Sequence, residues 1–432
     1  MKKLLGIVLS CAMVFSMAAC GATATTTTST AASTESTGEA AAEGGNASDL
    51  KIGVILVGDE TEGYSAAHIE GIKAAAAELG MADDQIIWKY KVEESSDCAD
   101  AAEDLVGQGC QAIFSNSYGH QTYMVEVAEK YPDVTFVSMT GDFAAISGLD
   151  NFKNAFTSVY ESRYVSGVVA GLKLKELTES GTLTPETQPE SFDADGNVKI
   201  GYVGAFSYAE VVSGYTAFYL GVKSVFPTVT MEVMYTNSWF DISKEGAAAE
   251  ALVANGAVIV GQHADSTGAP AAVQKLKDGG KICYSVGYNI DMLATAPTAA
   301  LTSATNVWSV YYKEAFEDVA NGEAVPTDWS KGYSEGAVAI TELGPECAEG
   351  TAEAVAAAEA ALKDGSLHVF DTATFTVGGE TLTSHLADVD TDPAYTPDTE
   401  VVSDGYFHES EMRSAPYFDL RIDGITTLNE EF

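Results

Sequence analysis

Lys51-Ile52-Gly53-Val54 and Lys199-Ile200-Gly201-Tyr202 open two stretches of this chain that follow one plan. The first passes a loop at Gly58 into a helical pattern carrying Gly71-Ile72-Lys73, and the second passes a loop at Gly204 into one carrying Gly221-Val222-Lys223. Gln111-Ala112-Ile113-Phe114 follows the first start at nearly the interval at which Ala257-Val258-Ile259-Val260 follows the second. Thr135-Phe136-Val137-Ser138 and Lys281-Ile282-Cys283-Tyr284 extend the agreement. Short apolar runs alternating with helical patterns read as βαβ units around a parallel sheet. The fold class expected is therefore α/β, with two lobes that are each a parallel sheet flanked by helices. Ligands of open parallel sheets bind beyond the carboxyl ends of the strands, which places the expected site between the lobes.

Upstream of the repeat, Met1-Lys2-Lys3 and the apolar run Leu4 to Ala19 have the basic and hydrophobic regions of a secretory signal. The run is shorter than the roughly 20 residues that span a bilayer. Met17-Ala18-Ala19-Cys20 then resembles a bacterial lipobox, so residues 1–20 read as a lipoprotein signal peptide and Cys20 as the lipidated residue. Residues 21–48 are Thr, Ala, Ser, Glu and Gly with no large apolar side chain, a composition that cannot form a core and is expected to be a disordered tether. No other segment is long and apolar enough to cross a membrane, so the lipid is the expected membrane attachment.

A formal net charge of −41, from 22 basic and 63 acidic residues, repels phosphate backbones and argues against nucleic-acid binding. Cys98, Cys110, Cys283 and Cys347 form neither CxxC pairs nor a spacing with histidine that suits zinc. Cys98 and Cys110 could be bridged, but Cys110 and Cys283 begin or occupy core strands and read better as small buried hydrophobes. Asp193-Ala194-Asp195-Gly196-Asn197 has the start of a calcium loop without its closing Glu and reads as a polar turn. GxSxG, P-loop and HExxH motifs are all missing, so neither an enzyme nor a cofactor or metal is expected.

The loops after the strands are where chemistry is expected, and they are aromatic and amide-rich. They include Gly58 to Tyr64, Ser115 to His120 with Asn116 and Tyr118, and Gly204 to Ser207 with Phe206. Asn237-Ser238-Trp239-Phe240-Asp241, Gln262-His263-Ala264-Asp265-Ser266 and Gly287-Tyr288-Asn289-Ile290-Asp291 complete the set. Planar rings beside amides and carboxylates suit a flat heteroaromatic ligand, since stacking contributes about 1 to 3 kcal/mol per base and Asn or Asp can meet a purine edge. Ring faces also pack on sugars.

The lipobox, the tether and these loop motifs together resemble the basic membrane protein family of ABC-transporter substrate-binding lipoproteins, which includes purine nucleoside receptors. The likeness runs from about residue 50 to about 345, and the motifs around Phe206, Trp239, His263 and Asn289 are similar to a branch associated with purine bases such as adenine. The resemblance implies a two-lobe periplasmic-binding-protein type I architecture and a purine held between Tyr64, Phe206 and Trp239. Two charged positions that serve ribose in the nucleoside-binding branch correspond to Asn289 and Asn306 here, which favours a free base.

Lobe 1 is expected to comprise residues 49–158 and 290–325, and lobe 2 residues 159–289 and 326–432, with crossovers near 156–165, 286–291 and 322–336. Residues 181–198 read as a polar loop, and Phe370, Phe375 and Val377 around Gly378-Gly379 as a hairpin appended to lobe 2. The expected ligand-binding residues are Tyr64, Asn116, Tyr118, Phe206, Trp239, His263, Asp265, Asn289, Asp291 and Asn306. Function is read as delivery of a purine base or nucleoside to a permease by a lipid-anchored monomer that closes on its hinge. Two alternatives stand: a sugar or autoinducer receptor on the same scaffold, and an extracellular nucleoside hydrolase drawing carboxylates from Asp59, Asp142, Asp265 and Asp291.

Overall fold

The computed structural model describes residues 47–390 and 394–429. The signal peptide, Cys20 and nearly all of the tether lie outside them. Ala47–Asp49, at the junction with the tether, forms a short turn whose Ala47 carbonyl accepts from Gln85 Nε2 at 2.7 Å.

Two parallel sheets carry the chain. In the first, β1 (Ile52–Ile55) lies between β2 (Ile86–Lys89) and β3 (Ala112–Ser115), followed outward by β4 (Thr135–Met139) and β5 (Phe152–Ala155). In the second, β6 (Val198–Gly204) lies between β7 (Val229–Tyr235) and β8 (Ile259–Gln262), followed by β9 (Tyr284–Tyr288) and β10 (Ala300–Asn306). The strand order is the same in both, so the repeat in the sequence is a repeat in space. Every residue of β1, β3 and β8 is buried; helices cover both faces of a parallel sheet, which is why these strands are apolar without alternation.

Helices α1 (Gly63–Glu78), α2 (Ser96–Gly107), α3 (Gln121–Ala128) and the single turn α4 (Ala144–Ser147) serve the first sheet. Helices α5 (Val159–Glu179), α6 (Ala209–Val225), α7 (Ile242–Ala254) and α8 (Gly268–Asp278) serve the second. Buried residues occupy every side of α5, a helix enclosed in its lobe. It meets α6 at glycines: a Cβ on Gly167 would lie 2.2 Å from the Phe218 carbonyl oxygen, and one on Gly221 2.0 Å from that of Tyr164.

The chain crosses between lobes three times. It crosses first at 156–158, entering α5. The second crossing differs from the expectation of 286–291. After β9 the chain turns at 289–299 and returns beside it as β10, paired in parallel, so residues 300–306 belong to the second sheet. Only after Asn306 does it cross, into α9 (Trp308–Asn321), whose Trp308, Tyr311, Tyr312 and Phe316 fill the first lobe's core. The third crossing also falls later than the assigned boundary at 325: β11 (Asp328–Trp329) still extends the first sheet beside β5, and β12 (Val338–Ile340) adds antiparallel to β10.

Beyond α10 (Thr351–Lys363), the C-terminal segment joins the second lobe's core through Phe370, Phe375, Phe407 and Phe418, with Phe370 stacked on Phe418 at 4.3 Å. The hairpin expected at Gly378-Gly379 is a tight turn with a single bridge, Val377 to Glu380. The strand Ile425–Thr427 pairs in parallel with β7 and closes that edge of the sheet. The segment also reaches the first lobe, where Ser414 N–H donates to Asp328 Oδ1 at 3.0 Å. Residues 181–198 are less free than a polar loop: Leu183 and Ser191 are buried, and Gln188 bonds both the N–H and the C=O of Ile282. Cys98, Cys110, Cys283 and Cys347 are all free thiols.

Candidate functional site: the interlobe cleft

Loops at the carboxyl ends of both sheets enclose a cavity of about 650 Å³. The first lobe contributes Asp59, Glu62 and Tyr64 after β1, Lys91 and Glu93 after β2, Asn116, Ser117 and Tyr118 after β3, and Thr140 after β4. From the second come Phe206 and Glu210 after β6, Asn237, Trp239 and Phe240 after β7, Asp265 after β8, and Tyr288 at the end of β9. Of the non-glycine residues with positive φ, Lys91, Thr140 and Asn237 line this cavity. Backbone strain of this kind persists where the surrounding structure holds it, commonly at ligand sites.

The aromatic wall belongs to the second lobe. Phe206 and Trp239 meet edge to face with centroids 5.2 Å apart, and Tyr208 stacks on Phe206 at 5.2 Å from the rim. Tyr64 stands on the first turn of α1, with Glu62 as the N-cap: its two carboxylate oxygens accept from the N–H groups of Tyr64 and Ser65, each at 2.8 Å. Tyr118 is 42 % exposed and directs its hydroxyl to Asp142 Oδ2 at 3.3 Å.

Asn116 faces the cavity, but its amide is engaged in shaping the wall. Its Oδ1 accepts from Val57 N–H at 2.9 Å, and its Nδ2 donates to Ser65 Oγ at 3.0 Å.

Buried carboxyls dominate the electrostatics. Burial pushes Glu210 up to about 7, and it raises Asp265 well above the usual carboxylate range with help from the neighbouring Glu62, Glu245 and Glu210. The exception is half-buried Asp59, pulled down to about 2 by hydrogen bonds from Lys91 and Thr61. Lys91 is the single cationic side chain among the lining residues, and Asp59 Oδ2 pairs with it at 2.6 Å.

Several expected site residues do not line the cavity. His263 is fully buried behind it, Nε2 lying 3.1 Å from Glu210 Oε1. Burial and the adjacent Arg163 hold His263 far below its ordinary value, so the contact joins a neutral imidazole to the carboxyl and is no ion pair. Arg163 lies beneath the floor, 3.6 Å from the centroid of the Tyr288 ring, and donates to the Gln262 carbonyl at 2.5 Å. Asn289 and Asn306, the positions of the ribose correspondence, are buried behind Asp265, one linked to the other, and do not line the cavity. Asp291 is exposed and caps the turn that follows, accepting from Leu293 N–H. Four carboxylates suggested as a hydrolytic cluster therefore do not converge: Asp59 and Asp265 line the cavity, Asp291 is on the surface, and Asp142 lies at a separate crevice near Arg413.

Glu210 and Tyr288 were missed from the sequence. Glu210 sits in the first turn of α6, just past the Gly204 loop, and a reading extended one helical turn beyond each loop would have found it.

A family profile described as ABC transporter substrate-binding protein PnrA-like matches residues 50–360. The chain belongs to this family. A purine-binding protein of Brucella abortus is 32 % identical over 326 residues, covering 74 % of this chain and 83 % of that protein. A Haloferax volcanii protein provisionally named an ABC transporter glucose-binding protein is 30 % identical over 354 residues, covering 81 % and 80 %. Among solved structures, an ABC transporter solute-binding protein of Aeropyrum pernix superposes with a TM-score of 0.60 at 17 % identity, covering 74 % of this chain and 93 % of that one. The two-lobe periplasmic-binding-protein fold is thus shared where sequence has diverged. Like its family, this PnrA-like protein is an extracytoplasmic solute-binding component of an ABC transporter: it takes a small molecule and presents it to a permease.

Proposed function

We propose that the ligand is a purine base or nucleoside, bound in the interlobe cleft and delivered to the permease by hinge closure. The observation that carries this reading is the Phe206–Trp239 wall beside the buried carboxyls of Asp265 and Glu210, with Tyr64 and Tyr118 on the opposite lobe. Ring faces provide stacking for a flat heterocycle, and the carboxyls provide groups for its polar edge. A nucleotide is a poor fit, because its phosphate would meet acidic groups and a lysine already paired with Asp59. The likeness to a purine-binding relative points the same way.

The relative named for glucose supports a second reading, since aromatic faces and carboxyls also bind pyranoses. Titration calorimetry with adenine, adenosine, guanosine, hypoxanthine, ribose and glucose separates the two. Micromolar or tighter binding of a purine with no heat from glucose is expected, and the reverse pattern would refute the proposal. The lipobox-like segment at Cys20 supports attachment of a monomer to the outer face of the membrane by lipid.

A further inference from the structure

Behind the cleft, four buried residues form one hydrogen-bond chain. The Thr157 hydroxyl donates to Asn306 Oδ1 at 2.5 Å, Asn306 Nδ2 donates to Asn289 Oδ1 at 3.2 Å, and Asn289 Nδ2 donates to Asp265 Oδ1 at 2.7 Å. All four are less than 8 % exposed, and every bond points the same way, toward the cleft carboxyl. With Asp265 Oδ1 as acceptor, reversing Asn289 would set oxygen against oxygen there, and reversing Asn306 would set its nitrogen away from Asn289 and its oxygen against that of Asn289, so the chain has a single polarity.

The positions of these residues give the chain its meaning. Thr157 lies in the first crossover and Asn306 is the last residue before the second, so their bond ties the strand leaving one lobe to the strand leaving the other. Asn289 holds a left-handed backbone, φ 64°, fixed to β10 by its own N–H on the Ala304 carbonyl at 2.9 Å and by its C=O accepting from Thr305 Oγ1 at 2.6 Å. A non-glycine residue in this conformation is held there by its surroundings. At the end of the chain, Asp265 lines the cavity with its carboxyl and gives its main-chain carbonyl to Gly63 of the opposite lobe.

We propose that Asn289 and Asn306 are positioning residues which couple the cleft carboxyl of Asp265 to two of the three interlobe crossovers, so that ligand contact and hinge closure reinforce each other. The role is independent of whether the ligand is a purine. A carboxyl that donates its O–H to a ligand becomes the better acceptor at its other oxygen, and polarisation along the buried, one-directional chain then strengthens each bond behind it. Coupling of this kind is reciprocal: whatever the ligand adds to the closed hinge, the closed hinge returns to ligand affinity. Loosening the Thr157–Asn306 bond lowers the closed fraction, and apparent affinity falls in proportion to it.

The test measures interlobe distance and affinity separately. Spin labels at Asp100→Cys and Lys244→Cys, both exposed and on opposite lobes, with Cys347→Ser to remove the half-buried thiol, report the distance distribution with and without adenine as probe. Asn306→Leu and Thr157→Val should shift the unliganded distribution toward longer distances and weaken adenine binding by about three- to thirty-fold. Thr157→Ser, which keeps the hydroxyl, should restore both. Should Asn306→Leu fail to fold, Thr157→Val decides, because it exchanges one hydroxyl for a methyl of similar shape. Folded variants whose distance distributions match the parent would overturn the proposal. If the parent protein ignores adenine, the purine reading fails, while the unliganded distances still decide the relay.

Discussion

The backbone N–H of Gly63, at the start of α1 in one lobe, donates to the main-chain carbonyl of Asp265 in the other at 3.1 Å. A Cβ on Gly63 would stand 2.9 Å from that oxygen, with no other neighbour closer than 3.7 Å. The glycine therefore sets how closely the two lobes approach at this point. Gly63→Ala should leave the unliganded melting temperature unchanged or slightly higher, since alanine is the better helix former. Ligand affinity should nevertheless fall about ten-fold, or about 1.4 kcal/mol. Calorimetry beside thermal melts checks the split, and equal affinity in the two proteins would show that closure tolerates the methyl group.

Removal of the aromatic wall gives a different signature. Trp239→Ala should weaken adenine binding by about 1 to 3 kcal/mol through lost stacking, roughly ten- to a hundred-fold. Trp239→Phe should recover most of it. Intrinsic fluorescence on adenine titration reads the same contact directly, and a binding isotherm unmoved by Trp239→Ala would place the ligand elsewhere in the cleft.

Three glutamates, Glu409 buried and Glu161 and Glu210 half-buried, predict an inverted pH dependence of stability. Burial lifts Glu161, Glu210 and Glu409 to about 7 each, from an ordinary value of 4.5. Below pH 4.5 each is protonated in both folded and unfolded chains, and its favourable share of stability is fully present. As pH rises from there toward 7 the unfolded chain ionises first, so stability is lost across that window, by up to roughly 3 kcal/mol per group. Melting temperature should accordingly fall between about pH 4.5 and 7 and level off above that range. Glu409→Gln keeps an oxygen for the Tyr417 and Phe418 N–H groups and should make the slope measurably shallower. A slope identical to the parent's would mean that Glu409 ionises normally in the folded protein.

Cys20→Ser should move the protein from the membrane fraction to the soluble one when it is expressed in a lipidating bacterium, with ligand affinity unchanged. Retention on the membrane would point to another mode of attachment.

Much of the fold was legible because the two lobes are built from one repeated pattern, and buried parallel strands such as Ile52–Ile55 announce themselves as unbroken apolar runs. The strand after the second lobe's repeat was harder to place. Ala300–Asn306 is made of small and hydroxylated residues, and nothing in Ala-Leu-Thr-Ser-Ala-Thr-Asn states which sheet it joins. The loops around the cleft were legible through the rule that strand ends carry sites, which brought Tyr64, Phe206, Trp239 and Asp265 to the cavity. The same rule does not distinguish a side chain that faces the cavity from one that supports it. Asn289 follows a strand end as directly as Trp239 does, and only its bond to Asp265 shows that it works from behind.

The strand Ile425–Thr427 bears on the order in which this protein can fold. It covers β7, and the closure is reinforced where Tyr235 N–H donates to Asn429 Oδ1 at 2.8 Å, a pairing between residues 194 positions apart. Until residues 425–429 are available, β7 presents an open row of backbone groups on which another chain could assemble. A protein threaded across a membrane from its N-terminus would acquire this cover long after β7 had emerged. Completion of the second lobe is thus tied to late-arriving residues, and the interval before their arrival is when the chain is most open to aggregation.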